Sequence, residues 1–186
     1  MLIVCSFVAP AEADDTEVVA KLLKNKIDSV LTVLEKEDIA EAEKKKKIMD
    51  IVEPVIDFKL MAKLTLGKAN WSRLSESQQQ EFIDLFVERL KASYLDKTTL
   101  YSDQEVDFHP ASKQGSKIFV PVDVVTEEES ARVLYKFYSA TDQWKVYDVE
   151  INGVSLIKSY RSQFDEILRS GSVEALFDEL KQSAEE

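Results

Sequence analysis

The spacing of apolar positions changes period twice along this chain. Through the first half it follows helical steps, between residues 105 and 151 it alternates, and after residue 155 it returns to helical steps. Val19, Leu22, Leu23, Ile27, Val30, Leu31 and Leu34 recur three and four apart, which puts them on one helix face and predicts a helix over 18–37. Ile48, Ile51 and Val52 predict a second over 38–53, stopped at Pro54, which lacks an N–H and whose ring blocks the preceding turn. Phe58, Leu60, Met61, Leu64 and Leu66 predict a short helix that Gly67 closes, with Trp71 in the loop beyond. Ser75, with Gln78 three residues on, forms a capping box. The helix it opens runs to about residue 96, with Phe82, Leu85, Phe86, Leu90 and Tyr94 on one face.

Residues 105–109 begin the alternating region. Ile118, Val120, Val122 and Val124 share one face of a strand over 117–125, where Pro121 marks an edge or a bulge because it cannot donate to a ladder. The charged turn Glu127, Glu128, Glu129 leads to a strand over 131–139 with Val133, Tyr135 and Phe137 alternating. Residues 141–143 link it to a fourth strand over 144–151, and links this short join antiparallel neighbours. Gly153 supplies a turn, Ser155 an N-cap, and two helices close the chain. Leu156, Ile157, Tyr160, Phe164, Ile167 and Leu168 stripe the first; Val173, Leu176, Phe177 and Leu180 stripe the second, after Gly171. Helices, then strands, then helices is an α+β order. The expected architecture is a four-stranded antiparallel curved sheet covered by about six helices, in one domain over 14–186.

Composition narrows the function classes. The chain has 186 residues, 45% of them hydrophobic, enough for one well-filled core. Its formal net charge of −11 removes any broad attraction to nucleic acid or to an anionic membrane. Leu2, Ile3, Val4 and the apolar residues up to Val8 precede Ala11-Glu12-Ala13, a small-x-small cleavage pattern, so 1–13 reads as a partial signal peptide lacking its basic start. A buried N-terminal strand is the competing reading, and the run is too short to span a bilayer. Val4 precedes Cys5 where a lipoprotein signal wants a small residue. Without 1–13 the mature chain has no cysteine and needs no disulfide chemistry.

Catalytic and metal motifs are missing. There is one histidine, His109, at a strand end before Pro110, and no Gly-x-Ser-x-Gly elbow accompanies it. Four glycines form no phosphate loop, and no His/Cys cluster offers a metal set. Lys44 to Lys47 reads as a solvated helix face, with Glu41 and Glu43 in reach. Asp148, mid-strand among aromatics, and Arg161, one turn into the next helix, form a candidate pair. A catalytic or headgroup-binding role is the sharper reading; a buried ion pair tying strand to helix is the simpler one. What remains is apolar excess: nine Phe, six Tyr and two Trp. Core packing and the wall of a cavity would use the same residue types.

Trp144-Lys-Val-Tyr-Asp-Val-Glu-Ile-Asn-Gly-Val-Ser-Leu156, followed by Tyr160-Arg-Ser-Gln-Phe164, resembles the signature of the MlaC family, the toluene-tolerance-type periplasmic phospholipid-binding proteins. Phe58-Lys-Leu-Met-Ala62, Leu66-Gly67 and Trp71 resemble that family's central helical segment, and Phe82, Leu85, Phe86, Leu90 and Tyr94 the helix after it. The resemblance covers roughly 15–180. It implies an NTF2-like fold with an apolar pocket and no cofactor other than a phospholipid ligand. It also implies a periplasmic carrier, serving outer-membrane lipid asymmetry by shuttling lipid between an outer-membrane lipoprotein complex and an inner-membrane ABC transporter complex with an MCE-domain subunit. The strong negative charge and the missing n-region depart from the family pattern.

On that implication the acyl tails lie against strand residues Val120, Val122, Val124, Val133, Tyr135, Tyr147 and Val149, with Leu64, Phe86, Leu90, Tyr94, Tyr160 and Phe164 closing the pocket; either face of the sheet could carry the lining. The alternatives are an NTF2-like isomerase or dehydratase using Asp148, and an adaptor that binds only proteins.

Overall fold

The computed structural model describes residues 14–95, 105–125, 130–141 and 143–182. The leader reading at 1–13, the helix end at 96 and the turn at 127–129 lie outside them. Six α-helices and six strands form among the described residues. Helix α1 (Asp15–Leu34) starts at Asp14, whose side chain accepts from Thr16 N. It packs antiparallel-hairpin fashion on α2 (Glu41–Val52) through Val33, Leu34 and Ile48. Three of the four lysines of α2 form the expected charged face, Lys45 meeting Glu41 at 3.0 Å, Lys47 Glu43 at 3.2 Å and Lys46 Asp50 at 2.8 Å, while Lys44 turns inward and donates to Leu34 O at 2.8 Å.

Helix α3 (Phe58–Trp71) corrects one expectation. Gly67 does break it, at φ +69°, but the chain turns helical again and carries Trp71 into the core at 7% exposure. The restart is tertiary: the Trp71 ring meets Phe82 edge-on at 6.5 Å. Helix α4 (Glu76–Leu90) opens with both halves of the capping box at Ser75 and Gln78 and runs into a single π-helical turn, Lys91–Leu95. Helices α5 (Leu156–Ser170) and α6 (Val173–Gln182) end the described chain, with Ser155 capping α5 as expected.

The sheet is antiparallel and open, with β1 (Glu105–Phe108), β2 (Ser112–Gln114), β3 (Lys117–Val125), β4 (Ser130–Ala140), β5 (Gln143–Ile151) and β6 (Val154–Ser155). Its order is β1-β3-β4-β5-β6, with β2 also on β3. Four strands were expected and six are found. The two additions are too short to show a period: β2 folds back at Gly115, φ +61°, and β6 at Asn152-Gly153, both at positive φ as a type I′ turn requires. Pro121 sits where the outer strand changes from β1 to β2, so its missing N–H removes no ladder bond; its carbonyl accepts from His109 N at 3.0 Å. A bulge at Lys136/Phe137 adds curvature. The free edge of β5 is closed by β6 at one end and by residues 55–57 at the other, where Val146 N donates to Val55 O at 2.8 Å and Asp57 N to Val146 O at 2.9 Å. Asp57 then caps α3, accepting from Leu60 N, which fixes that helix to the sheet end.

Candidate functional site: a sheet face only partly covered

Strand alternation gives the sheet two faces, and helices treat them differently. Ile118, Val120, Val122, Phe137 and Val146 lie on one face and are nearly fully buried, together with Val19 and Leu23 of α1. The same face continues through Val124, Tyr135 and Val149, which pack against this cluster but stay half-buried. Val133, opposite Val122 and Ile151, belongs to that face at 9% exposure. Among the described residues, one helix therefore covers only part of a broad apolar surface. Tyr135 marks the uncovered part: solvent reaches it, yet burial among protein atoms pushes its hydroxyl up to about 12.

The helical residues of the expected lining gather elsewhere. Phe86, Leu90, Tyr160 and Phe164 are buried in a second core built from α3 to α6, with Leu64 and Tyr147 packed against it. Its centre is aromatic: Phe86 meets Tyr160 edge-on at 5.4 Å, and Phe82 meets Phe164 edge-on at 5.6 Å. Tyr94 is more exposed, at 37%, and its hydroxyl is pushed up, by burial first and then by Tyr160. A cavity of about 70 Å³ remains in this layer, between Leu66, Leu74, Leu168 and Leu176 among others. The structure thus brings six expected residues together on the strand face against α1 and six more in the helical core, which meets the sheet through Tyr147.

On the opposite sheet face Pro121 and Leu134, paired in register, floor a cleft of about 440 Å³ rimmed by His109, Arg132, Glu150, Asn152 and Gly153. The charges at its rim are already engaged. Arg132 donates to Asp123 through Nε at 2.8 Å and Nη2 at 2.9 Å, and His109 Nε2 lies 2.7 Å from the same carboxylate. These bonds, Arg132 first, hold Asp123 well below the usual carboxylate range. Pro121 and Leu134 lie on the sheet face opposite the named strand lining, and alternation alone gives the two faces equal standing.

Asp148 does tie strand to helix, but not through Arg161. Its carboxylate, 7% exposed, accepts from Lys136 Nζ at 3.0 Å, Ser155 Oγ at 2.8 Å and Ile157 N at 3.3 Å. Burial alone would push the Lys136 ammonium down; its bonds to Glu150 and Asp148 hold it above its ordinary value instead. The signal for Lys136 was the cross-strand register, which puts it directly opposite Asp148. Arg161 points away to α3, where its guanidinium lies over Gly67, with Nε 3.8 Å from Asp165. Among the described residues no group of His, Cys, Asp and Glu is placed to hold a metal ion, and no helix is long and apolar enough to cross a membrane.

Residues 24–182 match the family model described as "MlaC protein". Over 137 residues the chain is 24% identical to the intermembrane phospholipid transport system binding protein MlaC of Haemophilus influenzae, a stretch covering 70% of this chain. The match spans 64% of that relative's length. The fold is similar to that of a phospholipid-binding protein from Ralstonia solanacearum, solved in complex with a phospholipid, at a TM-score of 0.80 and 25% identity, covering 89% of this chain and 96% of that one.

Proposed function

Because the chain belongs to the MlaC family, we propose that it is a phospholipid carrier, which encloses acyl tails in an apolar site and moves lipid between two membranes. The observation that carries this reading is the similarity, over nearly the whole fold, to a protein solved with a phospholipid bound. Physics supplies the need. A buried methylene is worth about 0.8 kcal/mol, so two tails of about thirty methylenes would cost about 25 kcal/mol to expose to water. A carrier replaces hydrocarbon with hydrocarbon and makes or breaks no bond.

We place the tails on the uncovered part of the sheet face, against Val124, Val133, Tyr135 and Val149, with Val120 and Val122 beneath α1. Leu64, Phe86, Leu90, Tyr160 and Phe164, together with Tyr147, pack the separate helical core, with Tyr94 at its exposed edge, and stand outside this placement. The half-burial of Val124, Tyr135 and Val149 supports this assignment. Asp148 has three donors on its carboxylate and serves as a fastening, which leaves the isomerase reading without a base. The NTF2-like kinship, the leader at 1–13 and a periplasmic location, with an outer-membrane lipoprotein complex and an inner-membrane MCE-domain ABC transporter complex as partners, belong to the same proposal.

Solvent extraction of the purified protein followed by lipid mass spectrometry tests it. Phospholipid near one equivalent per chain is the expected result. A lipid-free extract, together with failure to take up phospholipid from vesicles, would sink the carrier reading.

A further inference from the structure

The longest stretch of this acidic chain without a carboxylate lies in α3 and the turn after it. Between Asp57 and Glu76 there is no Asp or Glu, while Lys59, Lys63, Lys68 and Arg73 all fall there. The α5 segment between Glu150 and Asp165 repeats the pattern with Lys158 and Arg161. The fold then joins the two. Lys59, Lys63 and Gly67 stand four apart on α3 and so share one face, with about 6 Å between successive side-chain origins. At the third step the glycine contributes no side chain, and the guanidinium of Arg161 from α5 takes its place: a Cβ at 67 would lie 2.8 Å from Arg161 Nη2. Lys158, one turn before Arg161 on α5, extends the row, and Lys68 follows Gly67. All five cations are exposed.

Lys24, Lys46 and Lys113 are neutralised at short range, by Asp28, Asp50 and Asp15. Among the described residues Lys59, Lys63, Lys68 and Lys158 make no ion pair, and Arg161 has only Asp165 at 3.8 Å. Asp57, at the start of the row, is occupied by Leu60 N and the Tyr138 hydroxyl. We infer that this cationic row across α3 and α5 is a docking surface for an acidic patch on a partner protein. The inference goes beyond the lipid reading and does not rest on it.

Screening selects protein over membrane. At physiological salt, charges beyond about 8 Å are largely screened. An extended anionic bilayer would face much of the molecule and meet its net charge of −11. A compact acidic patch meets only the row. Such contacts act on association rate and on salt dependence more than on raw affinity.

The test uses a fluorescein-labelled decaglutamate peptide at low ionic strength, followed by anisotropy. A triple variant Lys59→Gln, Lys63→Gln, Lys158→Gln is compared with a control of equal net charge, Lys24→Gln, Lys46→Gln, Lys113→Gln. Circular dichroism melting and lipid content check that both remain folded and loaded, so that a failure of docking is separable from a failure of lipid binding. The row variant is expected to bind at least fivefold more weakly than the control, with a shallower salt dependence. Equal affinities for the two triples, or no binding by the wild type, would overturn the inference. So would co-sedimentation of the wild type, but not the row variant, with phosphatidylglycerol vesicles, which would assign the row to a membrane surface.

Discussion

Single side chains on this protein matter most where two independent demands meet. Asp148 holds a β4 lysine, the cap hydroxyl of α5 and that helix's second N–H at once. Asp148→Ala leaves Lys136 with Glu150 alone and strips the acceptor from Ser155 and Ile157 N, and should cost about 3 kcal/mol in urea unfolding, whereas a double change to apolar residues, Lys136→Met with Asp148→Leu, should cost less. Gly67 sits at a positive φ, and a side chain there would also have to push the tip of Arg161 aside. Gly67→Ala should destabilise by about 2 kcal/mol, from the left-handed backbone alone. Asp123 gives a pH dependence. Its carboxyl is depressed in the folded protein by Arg132 and His109. A depressed carboxyl stabilises the fold above its unfolded value of about 3.9, and that stability is lost as pH falls through the lower folded value. Melting temperature should therefore drop more steeply between pH 5 and pH 2 in the wild type than in Asp123→Asn. The capping serines and the ion-paired lysines of α2 were legible from sequence because their partners lie within four residues. The partners of Asp148 and Arg161 were not, since they are set by register and by helix rotation.

Elements form here for local reasons and end for distant ones. The capping box at Ser75 and the cap at Ser155 are written in four residues each, and both are made. Ser75→Ala should cost about 1 kcal/mol, and Ser155→Ala somewhat more, because it also strips a donor from Asp148. By contrast, Gly67 reads as the end of α3 and is only a break, because Phe82 offers Trp71 an edge-on contact that returns the chain to helix. Phe82, at 0% exposure, touches Trp71, Phe86, Phe164 and Phe177. Phe82→Ala should cost about 4 kcal/mol by thermal or urea unfolding. The four long strands follow from alternation; β2 and β6 are hairpin by-products that no period of two or three residues can announce.

At the scale of the whole molecule, two apolar cores share one sheet, and the described residues leave part of one face open. If that opening takes acyl tails, filling it should matter more to loading than loosening the helical core does. Val149→Trp should cut the phospholipid recovered per chain at least fivefold with little change in melting temperature, while Phe86→Ala should lower stability by about 4 kcal/mol and leave loading per folded chain near that of the wild type. Equal loading in both variants would remove the tails from this face. The sequence by itself determined the order of helices and strands, the caps, the absence of a catalytic motif and the family signature, because each rests on residues close together in the chain. Tertiary structure decided which of two equivalent sheet faces α1 covers, that Lys136 rather than Arg161 answers Asp148, and that two separate runs of lysine and arginine meet in one row. Those outcomes depend on how elements rotate and register against one another, and periodicity leaves that rotation free.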